Sequence, residues 1–198
     1  MANTFAPNGF QVSRLYNSSV PNYAMSEARI AYNYSSSIAF GDPVALLNTG
    51  LIALYAFGGT TIHGIFAGCE YLDYSTGEYL FRQSWPAVSN LPSTYVVKAR
   101  VIVDPMVVFR VQGYGTAATQ TAIGNNIDIK TGTSGVPNAA GISTCSVDLS
   151  TINTTNTLPF RIVGIPAGFW GRSYDPTADN NWLEVRMNTS DALAATGI

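Results

Sequence analysis

The chain has 198 residues, of which 46% are hydrophobic, 12% aromatic and 11% charged, and its net charge is −2. That length and apolar content predict one β-rich domain, or a domain with a smaller appendage, whose core needs no covalent staples. Lys98 and Lys130 are the only lysines and the arginines are scattered singly from Arg14 to Arg186, which argues against a nucleic-acid binder with its basic face or stripe.

The charged fraction is far below the roughly 25% of an ordinary soluble domain. Ser, Thr, Asn and Gly must supply much of the polar surface, and such a surface has few charges to desolvate when another protein covers it. Cys69 and Cys145 exclude a four-cysteine zinc site and a dense disulfide framework; a single bond between them and two buried thiols both remain open. The N-terminus has neither a basic n-region nor an apolar h-region, so no secretory signal is expected. The longest apolar stretch, 44–57, is broken by Asn48-Thr49-Gly50 and is too short to span a bilayer.

Residues 1–36 read as an N-terminal arm. Phe5, Phe10, Tyr16 and Tyr23 are spread among Asn, Ser and Pro without a strong period, and are candidate partner-binding residues. The stretch 25–30 can form a helical turn.

Residues 37–112 read as the β-barrel core. Gly41-Asp42-Pro43 is turn chemistry, because Asp bonds nearby amides and Pro presets φ. Val44–Leu47 and Leu51–Tyr55 flank a hairpin loop closed by Gly50. Ile62–Tyr71 is a strand interrupted by Gly64 and Gly68, which mark a bulge or close backbone approach. After a turn at 73–77 comes Tyr79–Gln83, which Trp85-Pro86 ends. Val97, Ala99, Val101 and Val103 share one face of the next strand, opposite Lys98 and Arg100. Beyond Asp104-Pro105, Val107, Phe109 and Val111 point inward and Val108, Arg110 and Gln112 outward, so 95–112 reads as a hairpin.

Residues 113–141 form a Gly/Thr/Asn-rich loop, long enough to require a function or a docking surface. Residues 142–198 carry the last strands, near 142–149, 158–164 and 182–187, completing the same domain or a small second sheet. The expected fold is thus all-β: a small antiparallel β-barrel or sandwich with an extended N-terminal arm and additional C-terminal strands.

Chemistry is sparse. His63 is the only histidine, so a Ser-His-Asp or Cys-His mechanism has one possible base, and its place between Ile62 and Gly64 reads as structural. No phosphate-cradling loop or nucleophile elbow occurs. Glu70, Asp73 and Glu78 are the remaining acid/base candidates, and they read better as turn solvation plus a Glu70–arginine pair, for instance with Arg82. No catalytic, cofactor-binding or metal-binding residue is assigned. Aromatics crowd the 71–85 hairpin, where most are expected in the core, and the 166–176 connection. There Phe169 and Trp170, with Tyr174, are candidate partner-binding residues.

The order Gly41-Asp42-Pro43-Val44, Gly64-Ile65-Phe66-Ala67-Gly68-Cys69-Glu70-Tyr71, Trp85-Pro86 and the Lys98–Gln112 segment resembles small structural proteins of tailed bacteriophages. So do Thr121–Asp128, Leu158–Gly164 and Leu183–Asn188. The family is that of head decoration or capsid cement proteins. The resemblance implies a β-rich, non-enzymatic virion protein on the capsid exterior, made in the host cytoplasm. Its expected partners are the major capsid protein and itself, as a trimer rather than a dimer, without nucleic acid, membrane or cofactor. The alternative is a phage tail or receptor/carbohydrate-binding β-module.

Overall fold

The computed structural model describes residues 3–18, 20, 23–88, 91–166 and 176–193. The described residues form twelve strands. In chain order these are β1 Gln11–Leu15, β2 Ser26–Ala31, β3 Pro43–Leu46, β4 Ile52–Leu54, β5 Gly64–Asp73 and β6 Glu78–Arg82. There follow β7 Val96–Ile102, β8 Val107–Tyr114, β9 Asn126–Ile127, β10 Val147–Asp148, β11 Phe160–Gly164 and β12 Trp182–Met187. The fold is all-β, and no helix among the described residues is long and apolar enough to cross a membrane.

Five strands close into a barrel in the order β3-β4-β2-β7-β5, with β5 pairing back to β3. Strand β5 is long enough to serve two partners on one edge: its first half meets β3 and its second half meets β6. Ile30, Val44, Ile52, Phe66, Val97, Ala99 and Val101 fill the interior, and Trp85 closes it. Trp85 packs edge-to-face on Tyr71 at 5.3 Å and donates its indole N–H to the Tyr34 carbonyl at 3.1 Å. Glycine is required where β5 begins, since a Cβ on Gly64 would lie 2.4 Å from the Ile102 carbonyl oxygen. The bulge expected in β5 falls between Phe66 and Gly68, and Gly68 adopts φ +127°.

The other six strands form a second sheet in the order β1-β8-β12-β11-β9, with β10 parallel to β8. Phe109, Val111, Phe160, Ile162, Leu183 and Val185 line its buried face. The barrel contributes Ile65 and Ile102 to that same core. Alternation explains how: Phe66 and Val101 point into the barrel while their neighbours Ile65 and Ile102 point out of it. The outer face of β7 is therefore apolar and covered at Ile102, but charged and solvent-facing at Lys98 and Arg100.

Three sequence expectations change here. Strands β7 and β8 do not form a hairpin; β7 pairs with β2 and β5, and β8 pairs with β1, β10 and β12. Asp104 holds a local turn, its carboxylate accepting the Met106 N–H at 2.8 Å, and the chain crosses there from one sheet to the other. Residues 26–31 are strand rather than helical turn, because Ala28 and Ile30 alternate inward and the segment pairs with β7 along its whole length. The expected arm thus supplies β2 to the barrel and β1 to the second sheet, where it pairs with β8.

The two sheets are joined at Asp42, which is fully buried. Its carboxylate accepts the Ala39 N–H at 2.7 Å, the Gly135 N–H at 3.0 Å and the Ser143 hydroxyl at 2.6 Å. Ser143 Oγ in turn accepts the Cys145 N–H at 2.8 Å. The 113–141 loop docks through this cluster and through the fully buried Asn181, whose side chain bonds both the N–H and the carbonyl of Ala118. Burial pushes the Asp42 carboxyl up to about 6, against the bonds from Ser143, Ala39 and Gly135 that pull it down.

Candidate interaction surface

The titratable groups singled out by composition have structural partners. His63 Nδ1 lies 2.6 Å from Asp191 Oδ2, beside the bridge that ties Ile62 to Ser190. The pair pins the segment after β12 to the start of β5. Glu70 is held by Lys98 at 3.6 Å and Arg100 at 3.8 Å. Its partner is therefore β7 and not Arg82, which lies opposite Cys69.

Strand register also separates the carboxylates. Glu70 opposes Phe81 and shares its face, whereas Glu78 opposes Asp73, an odd number of residues away along β6. Glu70 and Glu78 accordingly project from opposite faces of the sheet. Cys69 and Cys145 are both free and buried, one in each core. Burial pushes the Cys69 thiol up to about 12 and the Cys145 thiol well above its ordinary value.

The arginines that are scattered in sequence converge in space. Glu184 on β12 binds Arg14 at 3.0 Å and Arg110 at 3.6 Å, and accepts the Ser13 hydroxyl at 2.9 Å. Arg186, two residues on, stacks over the Tyr16 ring at 5.0 Å and lies directly opposite Arg161. One face of the second sheet thus carries four arginines, two of them bound to a single carboxylate, a pattern that only the strand order makes visible.

Of the aromatics proposed to touch a partner, the structure separates three groups. Phe10 is 1% exposed and stacks on Phe160 at 4.4 Å, so it belongs to the second core and leaves the candidate surface. Its sequence neighbourhood resembles a loop, but Gly9 and Gly41 allow close backbone approach, and the Phe10 N–H bonds the Gly41 carbonyl at 2.9 Å. Phe5, Tyr16 and Tyr23 are exposed. Phe5 packs edge-to-face on Tyr114 at 5.2 Å, because Gln112 fastens Thr4 and Ala6 to β8 at 2.8 and 2.9 Å. Tyr23 and Met25 stand at the mouth of a largely apolar groove of 630 Å³ floored by Ile65 and Ile102. Phe169, Trp170 and Tyr174 lie outside the described residues.

The sequence reading missed the strongest aromatic surface, which is carried by β6. The run Glu78-Tyr79-Leu80-Phe81-Arg82 alternates in a way that suggests Tyr79 and Phe81 inside and the charges outside. The opposite orientation holds: Leu80 sits across from the buried Tyr71, leaving Tyr79 50% and Phe81 68% exposed. Tyr71 already occupies the end of the barrel, so the inner side of β6 needs one medium side chain there. Tyr79 and Phe81 touch each other at 5.7 Å, and Tyr74 adds a third exposed ring at the tip of the hairpin. The available signal was Tyr71: had its burial been assigned first, antiparallel pairing through the 73–77 turn would have placed Leu80 beside it.

This aromatic ridge borders the charged outer face of β2, β7 and β5, where Glu27 and Glu70 lie among Arg29, Lys98 and Arg100. The result is an exposed sheet face with aromatics at one edge and ion pairs at its centre. Comparison of the chain with family models, with curated proteins and with solved structures found no match in any of the three.

Proposed function

We propose that the chain is a structural, non-enzymatic virion protein of the head decoration or cement type. It attaches to the outer surface of a tailed-bacteriophage capsid, with the major capsid protein and further copies of itself as partners. The observation that carries this reading is the exposed β-face with its aromatic ridge of Tyr74, Tyr79 and Phe81. Exposed apolar area of this kind, rimmed by polar groups, marks protein interfaces, and aromatics supply most anchors there.

The buried acids and the histidine each join one part of the fold to another, which suits a module that stiffens a lattice. A stable contact needs on the order of 800 Å² per partner. The experiment is to add the purified chain to undecorated heads and image them. Density on the capsid exterior, with slower release of DNA on heating, is the expected result. Location at the tail tip, or absence from the parent virion, would sink the reading. The same three aromatics favour a second reading, a carbohydrate-binding tail module, which requires glycan binding that disappears in Phe81→Ala.

A further inference from the structure

Barrel closure removes free edges from five strands, but β6 lies off the ring. Among the described residues it pairs only with β5, in a continuous register from Cys69–Arg82 to Asp73–Glu78. No described residue pairs with its other edge. Exposed edges are normally blunted by proline, charged side chains, a bulge or short length. Strand β6 has no proline and no bulge; its only charges, Glu78 and Arg82, are of opposite sign at its two ends, and between them it carries two large exposed aromatic rings.

The five residues are also complementary to themselves. A two-fold axis through Leu80 in an antiparallel pairing sets Glu78 opposite Arg82 of the second strand at both ends. The same axis sets Tyr79 opposite Phe81 twice, so four rings meet on one face, extending the Tyr79–Phe81 contact already present. Opposite charges and aromatic pairs placed directly across strands are both stabilising. Slipping the register by one residue sets Glu78 against Phe81 and loses both. Arg82 lies on the same face of the β5–β6 pair as Tyr71, and its guanidinium has donors enough to pair with a carboxylate of the second strand.

We infer that β6 is a self-association edge, and that two copies of this chain join their barrels through antiparallel β6–β6 pairing about Leu80. The contact is isologous, so it builds a dimer. It deepens the self-association part of the proposed function but involves the purified chain alone, so its failure is distinguishable from failure to bind capsids.

Sedimentation velocity of the full chain from about 1 to about 100 μM, the range where dissociation constants of modest interfaces fall, tests it. The wild type is expected to sediment as a dimer and Phe81→Lys as a monomer, with unchanged circular dichroism because the side chain is exposed. Glu78→Arg and Arg82→Glu are each expected to weaken the dimer about tenfold, since each sets like charges opposite one another twice. The double variant, which restores opposite charges with the signs exchanged, should recover it. A monomeric wild type, an assembly whose mass ignores Phe81→Lys, or a double variant no tighter than the single ones would overturn the inference.

Discussion

The barrel and the second sheet bury similar side chains by different means. The barrel closes on itself, and its interior is filled by its own strands and by Trp85. The second sheet is open, and its core is completed from outside: by Ile65 and Ile102 of the barrel, by Phe10 ahead of β1, and by Ala118, Ala122 and Ile129 of the long loop. A closed ring can leave most of its outer face to solvent and partners, whereas an open sheet must recruit loops to cover what it cannot curl around. The long 113–141 segment therefore belongs to the core of the second sheet, and the candidate interaction surface belongs to the barrel.

If the two cores form one cooperative unit, damage to either should destabilise the whole. Trp85→Ala in the barrel and Phe160→Ala in the second core are each expected to cost about 3–5 kcal/mol. Denaturant unfolding followed by tryptophan fluorescence and by circular dichroism should still show a single coincident transition in both variants. Two separated transitions would show that the sheets unfold independently.

A finer test stays within one strand and one face. Ile102→Ala removes a side chain shared with the second core and should cost about 2–4 kcal/mol.

The joint itself is open to titration. Burial raises the Asp42 carboxyl from 3.8 to about 6, so the folded state holds its proton more tightly than the unfolded chain does. Its contribution is fully present below pH 3.8 and is lost as pH rises through about 6, up to about 3 kcal/mol in all. Burial raises Asp128 in the same direction, where it accepts the Gly58 N–H at 2.8 Å. Asp42→Asn keeps an oxygen for the Ala39 and Gly135 N–H groups and can donate to Ser143, so it should remove this pH dependence while preserving the fold. Comparison of thermal melting at pH 4 and pH 7 in the two proteins isolates the effect. A wild-type difference that persists unchanged in Asp42→Asn would place it elsewhere.

The smallest effect is expected on the solvent-facing half of β7. Lys98 lies 3.6 Å from Glu70, with half of its side chain exposed, and pairs of this kind contribute less than about 1 kcal/mol. Lys98→Ala should shift the denaturation midpoint little. A loss comparable to that of Ile102→Ala would mean that this half of the face is also covered.

Much of the fold was legible because it follows from local pattern. The β3–β4 hairpin around Gly50, the bulge at Gly68, the inward Val97-Ala99-Val101 set and the final strands all arise from alternation and turn chemistry within a few residues. The Gly41-Asp42-Pro43 and Asp104-Pro105 turns, alike in sequence, have different roles. Asp42 is buried and accepts three bonds, two of them from residues more than ninety positions away, while Asp104 caps its own turn. The candidate surface was less legible. Most aromatics of the 71–85 hairpin were expected in the core, and Phe10 among the partner-binding residues, because the residue types alone do not say which face is already full.

Residue order determined which segments extend, where they turn and which side chains share a face, since these depend on φ preferences and a period of two. With one histidine and two separated cysteines, it also left few residues for histidine- or cysteine-based chemistry. Which strands pair was decided only by assembly of the whole chain. The alternation of β7 and β8 is equally compatible with one hairpin or with two sheets, and competition for burial among distant segments selected the second. That same competition turned β6 outward, brought Arg14 and Arg110 to Glu184, and left the aromatic edge on which the proposed contacts depend.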